Sequence, residues 1–217
     1  MERQLIANKY DTDKDQNYLD NYHEYFHKLR NEKINILEVG VLNGGSLLMW
    51  EEYFQNANII GIDINPIRLI KNSDRVSIYQ LNQTDTEGIS NIARQHAPSG
   101  FDIIIDDASH NAYESKITFW HCMHNHLKSG GIYVIEDWGT GYWDTWYDGE
   151  GFKNQPDSEK LFPSHSSGMV GFVKQLIDEV GMGDISKNKP ENKSVNPRKS
   201  LISKIIISHG QCFVFKK

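Results

Sequence analysis

The chain has 217 residues, enough for one domain with a continuous core under a sheet covered on both faces, and the whole of 1–217 reads as a single domain. Its 23 Lys and Arg stand against 29 Asp and Glu, a net charge of -6, and the basic residues are scattered rather than gathered into a stripe, so no nucleic acid partner is expected. No apolar run approaches the roughly 20 residues needed to cross a bilayer, and the opening MERQLIANKYDTDKD lacks the apolar centre of a signal peptide, so the expectation is a cytoplasmic protein with no membrane partner.

In chain order, the first strong strand signal covers 34–39, a β-branched and apolar run ending at Gly40. It leads into VLNGGSLLMWEEYF, whose Leu47, Leu48, Trp50 and Phe54 fall at core-facing helical spacings. Residues 58–62 predict a second buried strand ending at Asp63, 75–79 a third, 101–105 a fourth ending at Asp106, and 132–135 a fifth ending at Glu136 and Asp137. Helix-like segments near 66–72, 84–96 and 111–127 separate them, and this β-α alternation predicts an α/β doubly wound fold with a parallel sheet and right-handed crossovers. Residues 138–166 are rich in Gly, Trp, Tyr, Asp and Pro without a period, and a loop of that length in a compact domain is usually a functional lid or disordered. A helix over 169–180, a polar linker over 181–198 and two apolar runs, 201–208 and 211–217, complete the chain, with His209-Gly210 as a tight hairpin turn between the runs. Cys122 and Cys212 have neither metal-knuckle nor redox spacing and read as core residues.

Ligands of an open α/β sheet bind beyond the carboxyl ends of its strands, so the residues just after each strand carry the functional reading. After the first strand, the stretch from Glu38 through Gly40, Gly44 and Gly45 to Ser46 lets the backbone turn tightly at a helix start, either for a ligand or as a mere turn. Its spacing is not the G-x-G-x-x-G that seats a pyrophosphate. Asp63, about 20 residues on, is placed to accept from ribose hydroxyls or is an exposed strand end. Gln83, within Asn82-Gln83-Thr84-Asp85, stands where polar groups meet an adenine ring, although the same residues could cap the next helix.

The fourth strand ends in Asp106-Asp107-Ala108-Ser109-His110 and the fifth in Glu136-Asp137, which brings four carboxylates and an imidazole to one sheet edge. Such a set repels itself unless a cation is present, and a hard divalent ion is the natural partner, Mg²⁺ first and Mn²⁺ second. A metal there can polarise a substrate hydroxyl, and His110 can take its proton near neutral pH. The bland alternative is a group of solvated strand ends and helix caps. His121, His124 and His126, without a carboxylate partner, read as structural. Trp138, Tyr142, Trp143, Trp146 and Tyr147 follow the acidic set, where they either stack on a ring-shaped acceptor or pin the loop.

The motif E-x-G-x-x-x-G-G and the C-terminal hairpin resemble the class I S-adenosylmethionine-dependent methyltransferases, which implies a Rossmann-like, mainly parallel seven-stranded sheet with a C-terminal antiparallel hairpin and helices on both faces. More narrowly, Lys9-Tyr10-Asp11-Thr12-Asp13-Lys14, LEVGVLNGGSLLMW, GIDINP, FDIIIDDASH and LKSGGIYVIEDWGTGYW, spanning 9–143, resemble the metal-dependent macrocin- and mycinamicin-type sugar O-methyltransferases of natural-product biosynthesis. The resemblance implies S-adenosylmethionine as cofactor, contacted by Glu38, Gly40, Gly44, Ser46, Asp63 and Gln83, and Mg²⁺ held by Asp107, Glu136 and Asp137 with His110 as general base. Asp106 is implied to face the cofactor or to support the metal from behind. Residues 1–30 are implied to cap the cofactor, Thr12 and Lys14 meeting its methionine carboxylate, and 138–166 to form a substrate lid. Asp11 and Ala108 depart from the family pattern, which has glycine at both places. The implied acceptor is a small-molecule hydroxyl, on a sugar or glycosylated natural product first and on a phenol, catechol, polyketide or peptide second. A non-catalytic cofactor-binding scaffold is the reading from another class, and a homo-oligomer is the expected assembly.

Overall fold

The computed structural model describes residues 5, 9–67, 73–154, 166–185 and 199–217. Its centre is a seven-stranded sheet in the order β3-β2-β1-β4-β5-β7-β6. The strands are β1 Asn35–Val39, β2 Asn58–Asp63, β3 Val76–Gln80, β4 Phe101–Asp106, β5 Leu127–Glu136, β6 Ile202–Ile207 and β7 Gln211–Lys216. β1 to β5 run parallel, while β7 lies antiparallel to both β5 and β6. The strand order reverses between β1 and β4, which opens a crevice beyond their carboxyl ends. Val39 pairs with Ile62 and with Asp106, and Asp106 pairs with Ile135, so the residues that follow β1, β2, β4 and β5 emerge at one level.

Alternation along the strands divides the core in two. Leu37, Val39, Ile104 and Tyr133 face one side, where they pack with Phe119, Cys122 and Met123 of helix α4 (Ala112–Asn125), with helix α3 (Thr86–His96), and with Phe172 and Leu176 of α6 (Gly168–Ile185). Ile36, Ile103, Ile105 and Val134 face the other, against Trp50 of α2 (Gly45–Tyr53) and Leu19, Tyr22 and Phe26 of α1 (Gln16–Phe26). Helix starts follow the side chains available: Asp15 accepts from the Tyr18 N–H, Asp85 from that of Gly88, and Asn111 from those of Tyr113 and Glu114.

The predicted strands all form, β5 beginning earlier than its apolar run because Leu127 already pairs with Phe101 before an irregularity. Helix α1 was not among the predicted elements; its apolar stripe is only Leu19, Tyr22 and Phe26 in a segment rich in Tyr, Asn and Asp, which favour helices weakly. The helix expected near 66–72 falls outside the described residues from 68 onward, and so do 155–165 of the expected lid and 186–198 of the expected linker. The start of that linker is instead the last turn of α6. The described part of the expected lid is folded, as 3-10 turns at Trp138–Tyr142 and Tyr147–Gly149 and a short helix, α5, at Glu150–Lys153. Among the described residues no helix is long and apolar enough to cross a membrane.

Candidate active site

A cleft of about 290 Å³ lies beyond the ends of β1 to β4, and Gly40, Asp63, Gln83, Asp107 and Ala108 are in its lining. A cavity of about 150 Å³ adjoins it, sharing Gly40, Leu42, Asp107 and Ala108 and adding Thr12, Ser46 and His110. Gly40 has φ +83°, and a Cβ there would stand 2.2 Å from the Asp107 carbonyl oxygen, so the close approach of the β4 end, rather than room for a ligand, demands the glycine. Gly44 has φ 80° and caps α2. Asp63 Oδ2 accepts from the N–H groups of Val41 (3.0 Å) and Leu42 (3.2 Å) and Oδ1 from Asn65 N–H (2.8 Å), so the carboxylate shapes the glycine loop and also lines the cleft. Gln83 is fixed at both ends of its amide: Oε1 accepts from Ser109 N–H at 3.1 Å and Nε2 donates to Thr118 Oγ1 at 3.3 Å.

Three predicted residues lie behind the two cavities instead of lining them. Glu38 is fully buried, accepts from Ser46 Oγ at 2.8 Å, and has its pKa pushed up to about 7 by burial. Asp106 turns to the core side of β4, where Oδ2 accepts from Tyr133 OH at 3.1 Å and Oδ1 has no hydrogen-bond partner among the described residues; burial pushes its pKa up to about 6. Asp106, expected to face the cofactor or to support the metal from behind, is a register partner of Val39, and the pleat turns its carboxylate toward Tyr133. Lys14, expected at the cofactor carboxylate, is buried with its ammonium 2.6 Å from Asp107 Oδ2, 2.7 Å from Glu136 Oε1 and 3.6 Å from Glu38 Oε1. Burial pulls the Lys14 pKa down, but Asp107, Glu136 and Glu38 outweigh it and hold the group well above the usual lysine range.

The acidic residues divide between two partners. Asp107, His110 and Asp137 gather, with one ligand atom of each within 4.8 Å of the others: His110 Nε2 is 3.8 Å from Asp107 Oδ1 and 3.6 Å from Asp137 Oδ2. Glu136 stands apart from this trio, since its carboxylate accepts from Lys14 and from the buried Tyr22 hydroxyl. Burial, with Asp107 beside it, pushes the Glu136 pKa up to about 8. Asp137 Oδ1 accepts from Tyr18 OH at 2.5 Å. Tyr18 and Tyr22 went unremarked in the sequence, although Lys14, Tyr18 and Tyr22 recur at a spacing of four, the signature of one helix face.

The donor set suits a hard divalent cation. One ammonium faces three carboxylates, two buried and one half-buried, all with raised pKa, while Asp107 Oδ1, Asp137 Oδ2 and His110 Nε2 turn toward one another with no cation of the protein between them among the described residues. The backbone is strained at the same edge. The non-glycine residues with left-handed φ among the described residues are Leu42, His110 and Asp137, one each after β1, β4 and β5. Asp11 and Ala108 do not share that conformation, so a side chain at either place is tolerated.

Of the two roles anticipated for the aromatic segment, pinning is visible in its contacts with the rest of the chain. Trp138 Nε1 donates to Ser208 O at 3.2 Å, which pins the segment to the turn between β6 and β7, and Tyr142 packs edge-on against Phe152 within the segment. Trp146 stacks on Tyr147 with an interplanar angle of 26°, lies 6.3 Å from the His110 ring, and has Trp143 and Tyr147 exposed beside it. Away from this edge, His121 and His126 share the Ser90 hydroxyl at 2.9 Å each, and burial pushes both imidazoles down, His126 to about 4.

No protein-family model matches the chain. Over 167 residues it is 36% identical to the mycinamicin VI 2''-O-methyltransferase of Micromonospora griseorubida, covering 73% of this chain and 38% of that protein. Over 183 residues it is 32% identical to the demethylmacrocin O-methyltransferase of Streptomyces fradiae, covering 81% and 42%. The chain thus spans about two fifths of the length of these relatives. The crystal structure of the MycE methyltransferase from the mycinamycin biosynthetic pathway, in complex with Mg and SAH, matches with a TM-score of 0.73 at 31% identity over 92% of this chain and 49% of that one. The chain is a homologue of the macrocin- and mycinamicin-type sugar O-methyltransferases and carries the class I S-adenosylmethionine-dependent methyltransferase fold.

Proposed function

We propose that the protein is a divalent-metal-assisted, S-adenosylmethionine-dependent O-methyltransferase acting on a hydroxyl of a sugar or glycosylated small molecule. The observation that carries the reading is the convergence of Asp107, His110 and Asp137, the first two of which line the cavity that the glycine loop and Thr12 complete. The relatives are named for methylating sugar hydroxyls of natural products, and a further MycE structure holds Mg, SAH and mycinamycin VI together.

Bound S-adenosylmethionine would supply an electrophilic methyl group, and Asp107, Asp137 and Glu136 would hold Mg²⁺, which would lower the cost of ionising the acceptor hydroxyl. The larger cleft, between Asp63 and Gln83, suits the adenosine, and the smaller one, by Gly40, Thr12 and Ser46, suits the methionine end. His110 Nε2 takes the hydroxyl proton, and the two carboxylates flanking the imidazole stabilise the cation so formed. Trp143, Trp146 and Tyr147 present aromatic faces beside His110, suited to the apolar face of a sugar ring or to an aglycone. The net charge of -6 favours a small molecule over nucleic acid, and two buried free cysteines suit the reducing cytoplasm.

The test is incubation with S-adenosylmethionine, Mg²⁺ and a panel of glycosylated macrolides including mycinamycin VI, scoring S-adenosylhomocysteine release and the mass gain of one methylene by mass spectrometry. Turnover on a glycosylated acceptor that stops on chelation is expected. Methylation of phenols or catechols alone would overturn the acceptor class, and turnover indifferent to chelator would overturn the metal.

A further inference from the structure

The N-terminal segment brings one ammonium, that of Lys14, into the acidic centre. The segment lies against the first turn of α2 so tightly that a Cβ on Gly45 would stand 1.9 Å from the Asp11 carbonyl oxygen. Two demands fall on this ammonium. Glu136 is buried and Asp107 half-buried, and both need a cation, which it provides at 2.7 and 2.6 Å. Asp107 also lines the smaller cavity, whose lining includes Asp11 and Asp13 and, among the described residues, no Lys or Arg. An amino-acid carboxylate entering there meets an acidic wall unless Lys14 turns to it. A divalent ion taking Asp107 and Glu136 would meet the ammonium at contact distance, and like charges a few ångströms apart inside a protein repel strongly. The four-carbon stem of a lysine permits the ammonium to move, and the adjoining cavity is where negative charge would receive it.

We propose that Lys14 is an exchangeable counter-ion, which neutralises Asp107 and Glu136 until a divalent cation takes them and then turns to the carboxylate of the cofactor, so that metal and cofactor bind cooperatively. This rests on the function proposed above. Lys14 is in this sense a positioning residue that couples two ligands through one charge.

The test is calorimetric titration of Mg²⁺ into the full chain alone, with saturating S-adenosylhomocysteine, and with saturating methylthioadenosine, which keeps the adenosine and thioether but has no carboxylate. Mg²⁺ should bind about tenfold tighter with S-adenosylhomocysteine than alone, and methylthioadenosine should leave the affinity unchanged. Lys14→Met, its fold checked by circular dichroism, should bind Mg²⁺ tighter than wild type and should lose the dependence on S-adenosylhomocysteine. Equal effects of the two nucleosides on wild type, which need no variant to fold, would overturn the proposal, as would Lys14→Met binding Mg²⁺ no tighter than wild type. Mg²⁺ binding that is equal in all three conditions sinks the coupling alone, whereas no Mg²⁺ binding despite S-adenosylhomocysteine binding sinks the metal reading and the coupling together.

Discussion

Replacing Gly45 by alanine separates the contribution of the N-terminal segment from that of the sheet. Gly45 opens α2 without a left-handed φ, so alanine there is intrinsically favourable, by up to about 1 kcal/mol. The added carbon, however, would stand 1.9 Å from the Asp11 carbonyl oxygen and 2.4 Å from its carbonyl carbon, both backbone atoms. A carbon-to-oxygen contact settles near 3.3 Å, so the segment must retreat by roughly 1.4 Å. That withdraws Thr12 from the smaller cavity and stretches the Lys14 contacts, while α1 stays anchored by Leu19, Tyr22 and Phe26. A misplacement of about 1 Å can cost on the order of a hundredfold in turnover. For binding alone we expect affinity for S-adenosylhomocysteine to fall about tenfold, or about 1.4 kcal/mol, with the thermal midpoint moving by no more than a few degrees. Calorimetry and thermal melts read the two quantities separately. An affinity within twofold of wild type would refute the reasoning, and a collapse of the midpoint would refute the claimed independence of segment and sheet.

Asp106→Asn should stabilise the protein at pH 7.5 and have little effect at pH 3. Burial lifts the Asp106 pKa to about 6, so the folded chain keeps a proton that the unfolded chain releases near pH 4, and stability falls as pH rises between the two; the amide removes a penalty on the order of 2–3 kcal/mol. Melts at the two pH values check this, and S-adenosylhomocysteine affinity should stay within twofold, because the carboxylate points into the core. Tyr18→Phe removes the donor to Asp137 Oδ1 and should weaken Mg²⁺ binding by about tenfold without changing S-adenosylhomocysteine affinity; calorimetry showing no change in Mg²⁺ affinity would mean that the hydroxyl does not orient the carboxylate. His110→Asn should reduce turnover by about 10²–10⁴ with both binding constants preserved, whereas a parallel loss of Mg²⁺ affinity would make His110 a metal ligand instead of the base.

Most of the frame was legible because buried parallel strands announce themselves. ILEV, NIIGID, FDIIID and IYVIE are mainly apolar, β-branched runs with an acidic residue at or next to the last position, and those acids mark the sheet edge at which the site is built. The hairpin of β6 and β7 was legible from two apolar runs about His209-Gly210, and Gly210 does take a left-handed turn. What sequence spacing could not supply was the direction of each acidic side chain. Asp106 and Asp107 are neighbours with opposite destinations because the strand pleat turns one into the core, and Glu136 and Asp137 part where Asp137 enters a left-handed turn. Helix α1 and its tyrosines were hidden because a polar, aromatic segment resembles a surface strap until Trp50 and Phe213 are seen packing against Tyr22.

The left-handed backbone at His110 and Asp137 also limits which substitutions give an interpretable answer. Asparagine and aspartate enter that region readily, whereas alanine and, more strongly, the β-branched residues resist it. An alanine scan of this edge would therefore mix the loss of a charge or a base with a shift of the main chain that carries it, and both would register as lost activity. Asparagine at either position keeps the backbone and changes only the chemistry. The same bias acts on natural variation: drift at these two places is channelled toward a handful of polar residues by conformation alone, before any selection on catalysis is felt.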